Sequence, residues 1–474
     1  MTQPRRTQPE PLGTAIARWA CTLRPEDVPA ARHRRMRVAL LDFLGCVLAG
    51  SALPEAAQAR ALAQPGSTKV PGSDRDVDLA SAIVAWGATG ALLQWHDGYG
   101  RGGNHPSSSI LPVLMAQSQD WPRMLMPAIV GYETANRLAA LTHPRQTLAG
   151  SAPTASMGAI GAAVALCRWE ALDESTTARA LGLAGFWSPI AAFEGLRARG
   201  SGVPLHSGLA ARAGWEAVQA AKAGLEASPT LLEGAGGPGL LQFLGGADVR
   251  TSAPADPATW RGETLDQVYL KGFPGCRHVH PAVEAALGLR ASVPPDPARW
   301  RRISLRTYRV ALGFGALPRP GHELYDCLMS LPWCVALALL EGAPDLAAVT
   351  RERGRAPLRA LSRRIEVGES AAHEAHYPAH LGATIEIVLD DGTAHVQDAV
   401  LRYADAGEHF SPVGPFGPVL DEAGARAKFL RLARSAGPVA EAEAEAAGVR
   451  WQRVADEILA ADPTRIGEPK HHAA

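Results

Sequence analysis

The stretch from Gln94 to Ser109 concentrates side chains that can move protons in a segment without helical or strand periodicity. Imidazole exchanges a proton near neutral pH, and a neighbouring carboxylate can fix its tautomer or raise its pKa. Loops held by a rigid scaffold commonly carry such groups, although a solvent-exposed turn is the alternative. We predict a proton-transfer site in this loop, with candidate residues Gln94, Trp95, His96, Asp97, Tyr99, Arg101 and His105.

A second cluster, KGFPGCRHVHP at 271–281, precedes a helix that we expect to start near Pro281. Proline is favoured in the first turn of a helix, where free backbone N–H groups attract anions. Arg277 is suited to hold a carboxylate with two parallel hydrogen bonds, and His280 to transfer a proton. No further ligands stand at zinc spacing from His278 and His280, so we predict no metal site. Cys276 lacks an evident base and is expected to be a buried thiol.

Other histidines have weaker signals. His206, in VPLHSG, opens a segment rich in small residues and is a third candidate, with a purely structural role as the alternative. His143, in THPRQT, is predicted to be a surface histidine, since no partner is evident. The same prediction covers the group His373, His376 and His380.

Composition narrows the class of ligand. The 474 residues contain 47 Lys plus Arg and 47 Asp plus Glu, so no overall positive field attracts nucleic acid or an anionic membrane. No apolar run approaches the roughly 20 residues that cross a bilayer, and no apolar run follows the basic N-terminal residues. Six scattered cysteines fit a reducing compartment, and no nucleotide-binding motif is present. We predict a cytoplasmic protein with a small-molecule substrate.

The periodicity changes along the chain. Helical patterns dominate the first half: the stripe within 38–48, the apolar segment 157–167, and a helix that Asp173 caps. After the Pro- and Gly-rich stretch 234–260, alternating residues at 303–308 and 384–389 predict strands, the second entering a hairpin at Asp391 and Gly392. An apolar helix at 330–342 ends in glycine, and helical patterns resume at 422–434. We predict a helical domain (1–266), an α+β domain (267–400) and a return to the helical domain (401–474).

Seven segments, in order, resemble the MmgE/PrpD family, which includes 2-methylcitrate dehydratase, cis-aconitate decarboxylase and iminodisuccinate epimerase. The resemblance covers most of the chain. The segments are LLDFLGCVLAG (40–50), HPSSSILPVLMA (105–116), VGYETANRL (130–138), APTASMGAIGAAVAL (152–166), PLHSGLAARAG (204–214), GFPGCRHVHPAVEAAL (272–287) and SLPWCVALALLEG (330–342).

The resemblance implies a large all-α helical domain plus a smaller α+β lid domain, paired in a homodimer. It also implies an active site between the domains that uses no metal or organic cofactor. Such sites act on small di- or tricarboxylates by proton abstraction or decarboxylation. The family's site histidines correspond to His105, His206 and His280, and Arg277 stands where many members carry a C-R pair.

Three departures change the expected substrate. The family pattern D-[FY]-[DN]-D-T is replaced by Gln94 to Gly98, in which Asp97 keeps its acid. A family histidine is replaced by Ala152, and a family lysine by Val203. A carboxylate buried without a partner is costly, so we expect a ligand less anionic than citrate. Trp95, Tyr99 and Trp187 then offer apolar or stacking surface.

We therefore predict a cofactor-independent lyase or isomerase that dehydrates, decarboxylates, epimerises or cyclises a small carboxylate or less-charged carbonyl compound, with a tilt towards specialised metabolism. His105 and His280 act as the acid and base, Asp97 or His96 orients them, and Arg277 holds a carboxylate or enolate oxygen. A standard carboxylate dehydratase or decarboxylase is one alternative. A catalytically silent paralogue that binds a small molecule or serves as a scaffold is the other.

Overall fold

Helices that bury their faces against one another form the first half of the chain. A computed structural model describes residues 10–198, 200–249, 256–316, 323–352, 355–402, 422–435 and 441–464. Its first helices are α1 (Leu12–Thr22), α2 (Ala30–Ser51), α3 (Glu55–Arg60), α4 (Leu79–Ala91), α5 (Pro106–Ile110), α6 (Pro112–Met115), α7 (Trp121–Thr142), α8 (Arg145–Leu148), α9 (Pro153–Trp169), α10 (Glu174–Phe186), α11 (Phe193–Ala198), α12 (Leu205–Lys222) and α13 (Leu240–Gly245). Short strands β1 (Pro65–Thr68), β2 (Gly98–Tyr99) and β3 (Val268–Tyr269) accompany them.

Small residues determine how closely the central helices pack. α9 is buried along nearly its whole length and contacts both α7 and α12, which confirms the predicted buried helix. A Cβ at Gly161 would lie 2.8 Å from the carbonyl oxygen of Gly131, and one at Gly214 would lie 2.5 Å from that of Ala159. Larger side chains at these positions would push the helices apart. The predicted cap of α10 is also confirmed, since the Asp173 side chain accepts a hydrogen bond from the backbone N–H of Thr176 at 2.8 Å.

The lid is built on a four-stranded sheet with the order β5–β4–β6–β7. Its strands are β4 (Trp300–Thr307), β5 (Ile365–Glu369), β6 (His380–Leu389) and β7 (Ala394–Arg402), and its helices are α14 (His280–Arg290), α15 (Arg309–Gly315), α16 (Leu324–Leu328), α17 (Leu331–Glu341), α18 (Leu346–Glu352), α19 (Ala356–Ser362) and α20 (Ala371–His376). β4 runs parallel to β5 and antiparallel to β6, with Ile303 opposite both Ile365 and Ile387. The alternating apolar residues face the lid's core, as the sequence predicts.

Two glycines end elements where the sequence predicts. The β6–β7 hairpin turns at Gly392, whose φ is +87°, and α17 ends at Gly342, whose φ is +99°. Both conformations lie in the half of backbone space that favours glycine. The predicted strands, hairpin and capped helix of the lid are therefore confirmed.

The chain returns to the helical body through α21 (Glu422–Arg434) and α22 (Glu441–Leu459), which both pack against α2. The fold class is thus as predicted, a large helical domain with a smaller α+β domain. The body's apolar core extends to Leu270 and resumes at Ala425. The apolar cluster of the lid also includes body residues such as Cys46, Leu93 and Trp95, so the two domains share buried contacts. Residues 250–255 of the predicted boundary stretch lie outside the described residues. Within the described ranges, no helix is long and apolar enough to span a bilayer.

A buried ion pair joins the returning helix to the start of the body. The Lys428 ammonium lies 2.5 Å from the Asp42 carboxylate, and both side chains are fully buried. The same ammonium donates hydrogen bonds to the carbonyl oxygens of Trp95 at 2.9 Å and Lys271 at 3.1 Å. Burial raises the pKa of Asp42, and Lys428 opposes that rise. One cation therefore ties together α2, α21, the loop after α4 and the entry to the lid.

We predict that Lys428→Met lowers the free energy of unfolding by about 3–5 kcal/mol, because it leaves the Asp42 carboxylate buried without a partner. Urea denaturation measures this loss. The double variant Asp42→Asn/Lys428→Met should be more stable than the sum of the two single losses predicts. The matched control is Arg453→Ala, which breaks an exposed pair with Glu457 and should cost less than about 1 kcal/mol. Wild-type stability in Lys428→Met would contradict the role of this pair.

Candidate active site

A cavity lies between the helical body and the lid, and about 90 Å³ of it is accessible to water. One water needs roughly 10–15 Å³ by this measure, so the cavity has room for a small organic molecule. The titratable groups of its lining are five imidazoles, one guanidinium, two phenols and one thiol. The polar side chains of the lining are Gln94, His96, His105, His143, Thr147, Thr154, His206, Ser207, Tyr269, Cys276, Arg277, His278 and Tyr377.

The turn at residues 94–97 positions the first group of side chains. Gln94 adopts a φ of +49°, which is uncommon for a residue with a side chain. The carbonyl oxygen of Gln94 accepts a hydrogen bond from the Lys271 ammonium at 2.6 Å, and that of Trp95 accepts one from Lys428. The carbonyl oxygen of Asp97 accepts one from Nδ1 of His105 at 2.7 Å. Side chains from distant parts of the chain thus fix this turn.

Main-chain carbonyls fix the tautomers of two lining imidazoles. A carbonyl oxygen only accepts, so Nδ1 of His105 carries the proton and its Nε2 presents a lone pair. His206 is held in the same way, with its Nδ1 donating to the carbonyl oxygen of Val203 at 2.5 Å. Burial lowers the pKa of His105 to about 3 and also lowers that of His206. Both rings are therefore neutral at pH 7 and can accept a proton at Nε2.

His96 stands beside His105, with ring centroids 5.1 Å apart in an edge-to-face arrangement. Its side chain is 1% exposed, and its Nδ1 atom has no hydrogen-bond partner among the described residues. Burial and the neighbouring His105 lower the pKa of His96 well below its usual range. A buried ring nitrogen without a partner is costly, so a bound ligand or water is its expected partner.

Arg277 adds a buried positive charge to the cavity lining. Its guanidinium lies over the Tyr269 ring at 4.4 Å and contacts Nδ1 of His280 at 3.4 Å. Its Nε atom is buried without a hydrogen-bond partner, and no described carboxylate forms an ion pair with it. Buried charges are normally paired. A ligand carboxylate would supply the missing countercharge.

Two more histidines line the cavity, and sequence reasoning assigned neither to the site. His278 makes a hydrogen bond of 2.6 Å between its Nδ1 and the Tyr308 hydroxyl, and it stacks on Phe314. Burial lowers its pKa to about 3. The sequence pattern gave His278 no role, because its place in the cavity lining depends on tertiary packing. Within the described ranges, no group of three or more His, Cys, Asp or Glu is arranged to hold a metal ion.

His143 corrects a prediction, since it is not a surface residue. It lines the cavity, its Nδ1 lies 3.0 Å from the Thr147 hydroxyl, and burial lowers its pKa to about 4. Gly103 approaches so closely that an added Cβ would lie 2.8 Å from Nδ1 of His143. In the sequence, the glycines at 100–103 indicate that another part of the chain can approach this segment closely.

Asp97 and His280 lie behind the lining. The Asp97 carboxylate accepts hydrogen bonds from the Ser107 hydroxyl at 2.6 Å and the Tyr132 hydroxyl at 3.0 Å. Burial raises the pKa of Asp97 to about 7. His280 stacks on Phe273, its Nε2 lies 3.3 Å from the carbonyl oxygen of Gly275, and its Nδ1 faces Arg277. Both ring nitrogens are therefore engaged away from the cavity.

Three further candidates also lie outside the lining. Trp95 is fully buried, and its Nε1 donates to the carbonyl oxygen of Lys271 at 2.9 Å. Tyr99 belongs to β2 and pairs with Val268 of β3. Arg101 is exposed. Of the residues predicted for the site, the structure brings Gln94, His96, His105, His206 and Arg277 together at the cavity.

Apolar side chains form a further part of the lining, which we call the apolar wall. Phe193 contacts Phe314 edge to face at 5.1 Å and thereby links α11 to α15. Trp95, Tyr99 and Trp187 were expected to supply such a surface, but none of them lines the cavity. The apolar wall consists of Phe193, Leu196, Phe314, Met329 and the ring of Tyr377.

The positions of the family departures are also defined. Ala152, which stands where the family carries histidine, lines the cavity. Val203 is buried and contributes the carbonyl oxygen that fixes His206. Cys276 also lines the cavity, and burial raises the pKa of its thiol above the usual range. Cys276 is 8% exposed, as expected for a buried thiol.

Comparison with known proteins gives two family matches. Residues 14–251 match the family model described as the MmgE/PrpD N-terminal domain, and residues 273–452 match the MmgE/PrpD C-terminal domain. The two matches together span most of the chain. The homodimer and the cytoplasmic location both stay predictions.

Two relatives carry related names. Cis-aconitate decarboxylase of Mus musculus is 26% identical over 321 residues, which cover 64% of this chain and 62% of the relative. Cis-aconitate decarboxylase-like protein oryM of Aspergillus oryzae is 27% identical over 187 residues, which cover 36% of this chain and 38% of the relative. The matched segments therefore span less than two thirds of either relative.

Opposite pKa shifts predict opposite effects of pH on two variants. The pKa of His105 is lowered to about 3, so its contribution to stability is present above pH 6.5 and is lost as the pH falls. Relative to wild type, His105→Gln should gain about 2 kcal/mol of unfolding free energy between pH 7 and pH 5. The pKa of Asp97 is raised to about 7, so Asp97→Asn should lose about 2 kcal/mol over the same interval.

Urea denaturation at pH 7 and pH 5 measures both differences, and Arg212→Gln, an exposed substitution on α12, serves as the control with no pH-dependent difference. Equal pH dependence in wild type and His105→Gln would show that this imidazole is charged or exposed to solvent at pH 5.

Proposed function

Because this chain belongs to the MmgE/PrpD family, we propose that it is a cofactor-independent lyase or isomerase that transfers protons through histidine. Its substrate is a small carboxylate or a less-charged carbonyl compound. We also propose that the reaction belongs to specialised metabolism. The observation that carries the proposed activity is a buried guanidinium without a carboxylate partner among the described residues, Arg277, which lines the same small cavity as five imidazoles. The names of the two relatives, which refer to decarboxylation of cis-aconitate, support lyase chemistry on an acid.

His105 and His206 are the proposed bases. Each presents an unprotonated Nε2, since its Nδ1–H is held by a main-chain carbonyl. A pKa of about 3 makes free His105 a weak base at neutral pH. A carboxylate bound on Arg277 adds a negative charge to the cavity and raises that pKa. Substrate binding therefore activates the base that acts on the substrate.

His278 is the proposed hydrogen-bond donor to the substrate. Its partner, the Tyr308 hydroxyl, can donate to Nδ1, which leaves the proton on Nε2. The base removes a proton from the carbon next to the carboxylate, and the resulting enolate charge is stabilised by Arg277. His278, neutral at pH 7, donates a hydrogen bond from Nε2 to the enolate oxygen. The imidazolium formed on the base then gives its proton either to the leaving oxygen, in a dehydration, or back to the carbon, in an isomerisation. His280 and Asp97 are positioning residues, which orient Arg277 and the 94–97 turn.

The alternative, a silent paralogue that binds without turnover, is favoured by one observation. Ala152 lines the cavity at the position where the family carries histidine, so one proton-transfer group is missing. The remaining imidazoles can still provide an acid and a base, which is why we favour the enzyme. The two functions differ in whether a bound acid exchanges carbon-bound hydrogen with solvent.

We predict that His105→Gln and His206→Gln each lower proton exchange by about 10²–10⁴. NMR measures the exchange in D₂O at the carbon next to the carboxylate, for cis-aconitate and a panel of mono- and dicarboxylic acids. Urea denaturation should show that both variants remain folded at pH 7, and Arg212→Gln should exchange at the wild-type rate. Tight binding of an acid without any exchange would favour the silent paralogue. Wild-type exchange in both histidine variants would exclude them as bases.

A further inference from the structure

The charges that face the cavity limit the charge of its ligand. Among the described lining residues, Arg277 is the one side chain with a fixed positive charge, and no Asp, Glu or Lys lines the cavity. The two nearby lysines face elsewhere, since Lys271 donates to the carbonyl oxygens of Gln94 and Gly275, and Lys428 pairs with Asp42. The site can therefore neutralise one carboxylate directly.

The lining histidines add no further positive charge at neutral pH. Burial lowers the pKa of His105 and His278 to about 3 and that of His143 to about 4. Burial lowers those of His96 and His206 as well. One bound carboxylate raises these values, but a second would need its own partner in a region that excludes water.

Two side chains hold Arg277 in place. Tyr269 covers one face of the guanidinium, and His280 contacts it through Nδ1. The buried Nε atom without a partner is the second sign that a ligand belongs here, together with the unpartnered Nδ1 of His96. Arg277 and His96 are thus the two lining residues whose buried polar atoms a ligand is expected to satisfy.

The apolar wall supplies the apolar part of the lining. Phe193, Phe314 and Met329 are 7%, 6% and 1% exposed, and Leu196 is half-buried at the same surface. Phe314 also stacks on His278, so the wall continues directly into the lining imidazoles. A carboxylate placed against these side chains would lose its hydration without gaining a partner, whereas an alkyl or aryl group would gain contact area.

We propose that the site takes a monoanionic carboxylic acid whose single carboxylate binds Arg277 and whose apolar, ring-sized group lies against the apolar wall. The carbon next to the carboxylate then lies between His105, His206 and His278. This inference rests on the proposed function, since it assumes that the cavity is the substrate site. It names the substrate class that distinguishes this chain from an enzyme for tricarboxylates.

Calorimetry with two probes tests the inference. We expect 3-phenylpropionate to bind at least tenfold more tightly than propane-1,2,3-tricarboxylate at pH 7.5 and 0.15 M salt. Arg277→Gln should weaken 3-phenylpropionate by at least a hundredfold, and Phe193→Leu, which keeps apolar volume but removes the ring, by about tenfold. The matched controls, Arg212→Gln and the exposed Phe243→Ala, should bind like wild type.

A positive charge introduced into the apolar wall should change which ligand binds more tightly, whereas simple destabilisation should weaken both ligands. Leu196→Lys should reverse the preference and favour the tricarboxylate, because a second cation then faces the cavity. Tighter binding of the tricarboxylate by wild-type protein would overturn the inference, as would unchanged binding in Phe193→Leu and Leu196→Lys when both variants fold.

Failure of the inference and failure of the proposed function are distinguishable. If 3-phenylpropionate binds through Arg277 but no monocarboxylate exchanges its hydrogen, the substrate-class inference stands as a ligand class and the enzyme proposal fails. If exchange depends on His105 but occurs with di- or tricarboxylates alone, the enzyme proposal stands and the inference is wrong.

Discussion

The 94–97 turn depends on main-chain carbonyls that point inwards and accept hydrogen bonds from buried side chains. Lys271 bonds to Gln94, Lys428 to Trp95, and His105 to Asp97. The donors come from the lid entry, the returning C-terminal helix and the loop itself, so the turn takes its shape only when all three parts of the chain are in place. Buried polar groups without partners are costly, and this requirement couples folding of the two domains to assembly of the site.

The electrostatics of the cavity follow from the same burial. Desolvation keeps the lining imidazoles neutral, and the absence of a described carboxylate partner leaves Arg277 with an uncompensated charge. Such a site costs stability in the empty protein, because both arrangements are more favourable in water. An anionic substrate reverses this balance by pairing with the guanidinium and raising the basicity of the imidazoles. Binding and activation of the base are therefore the same event in this account.

Local sequence patterns were sufficient for the elements, and less so for the site. The buried α9, the Asp173 cap and the hairpin at Gly392 follow from periodicity and turn chemistry, which are properties of neighbouring residues. His143 defeated the same reasoning, because its burial depends on a glycine-rich segment about forty residues away. His280 matches the family motif, yet its ring nitrogens face Gly275 and Arg277. Which face of a side chain meets a cavity is decided by tertiary packing, which spacing alone does not encode.

The proposed mechanism requires neutral His105 and His206 rings, with the proton on Nδ1 and a free lone pair on Nε2. Two-dimensional ¹⁵N–¹H NMR of protein labelled with ¹⁵N-histidine reads these states directly, and His105→Gln and His206→Gln assign the signals. We expect Nδ1-protonated neutral rings for both residues at pH 7, with His105 signals that stay unchanged down to pH 5 and a His206 ring that titrates below its usual range. Rings that titrate near pH 6.5, or that carry the proton on Nε2, would contradict the mechanism.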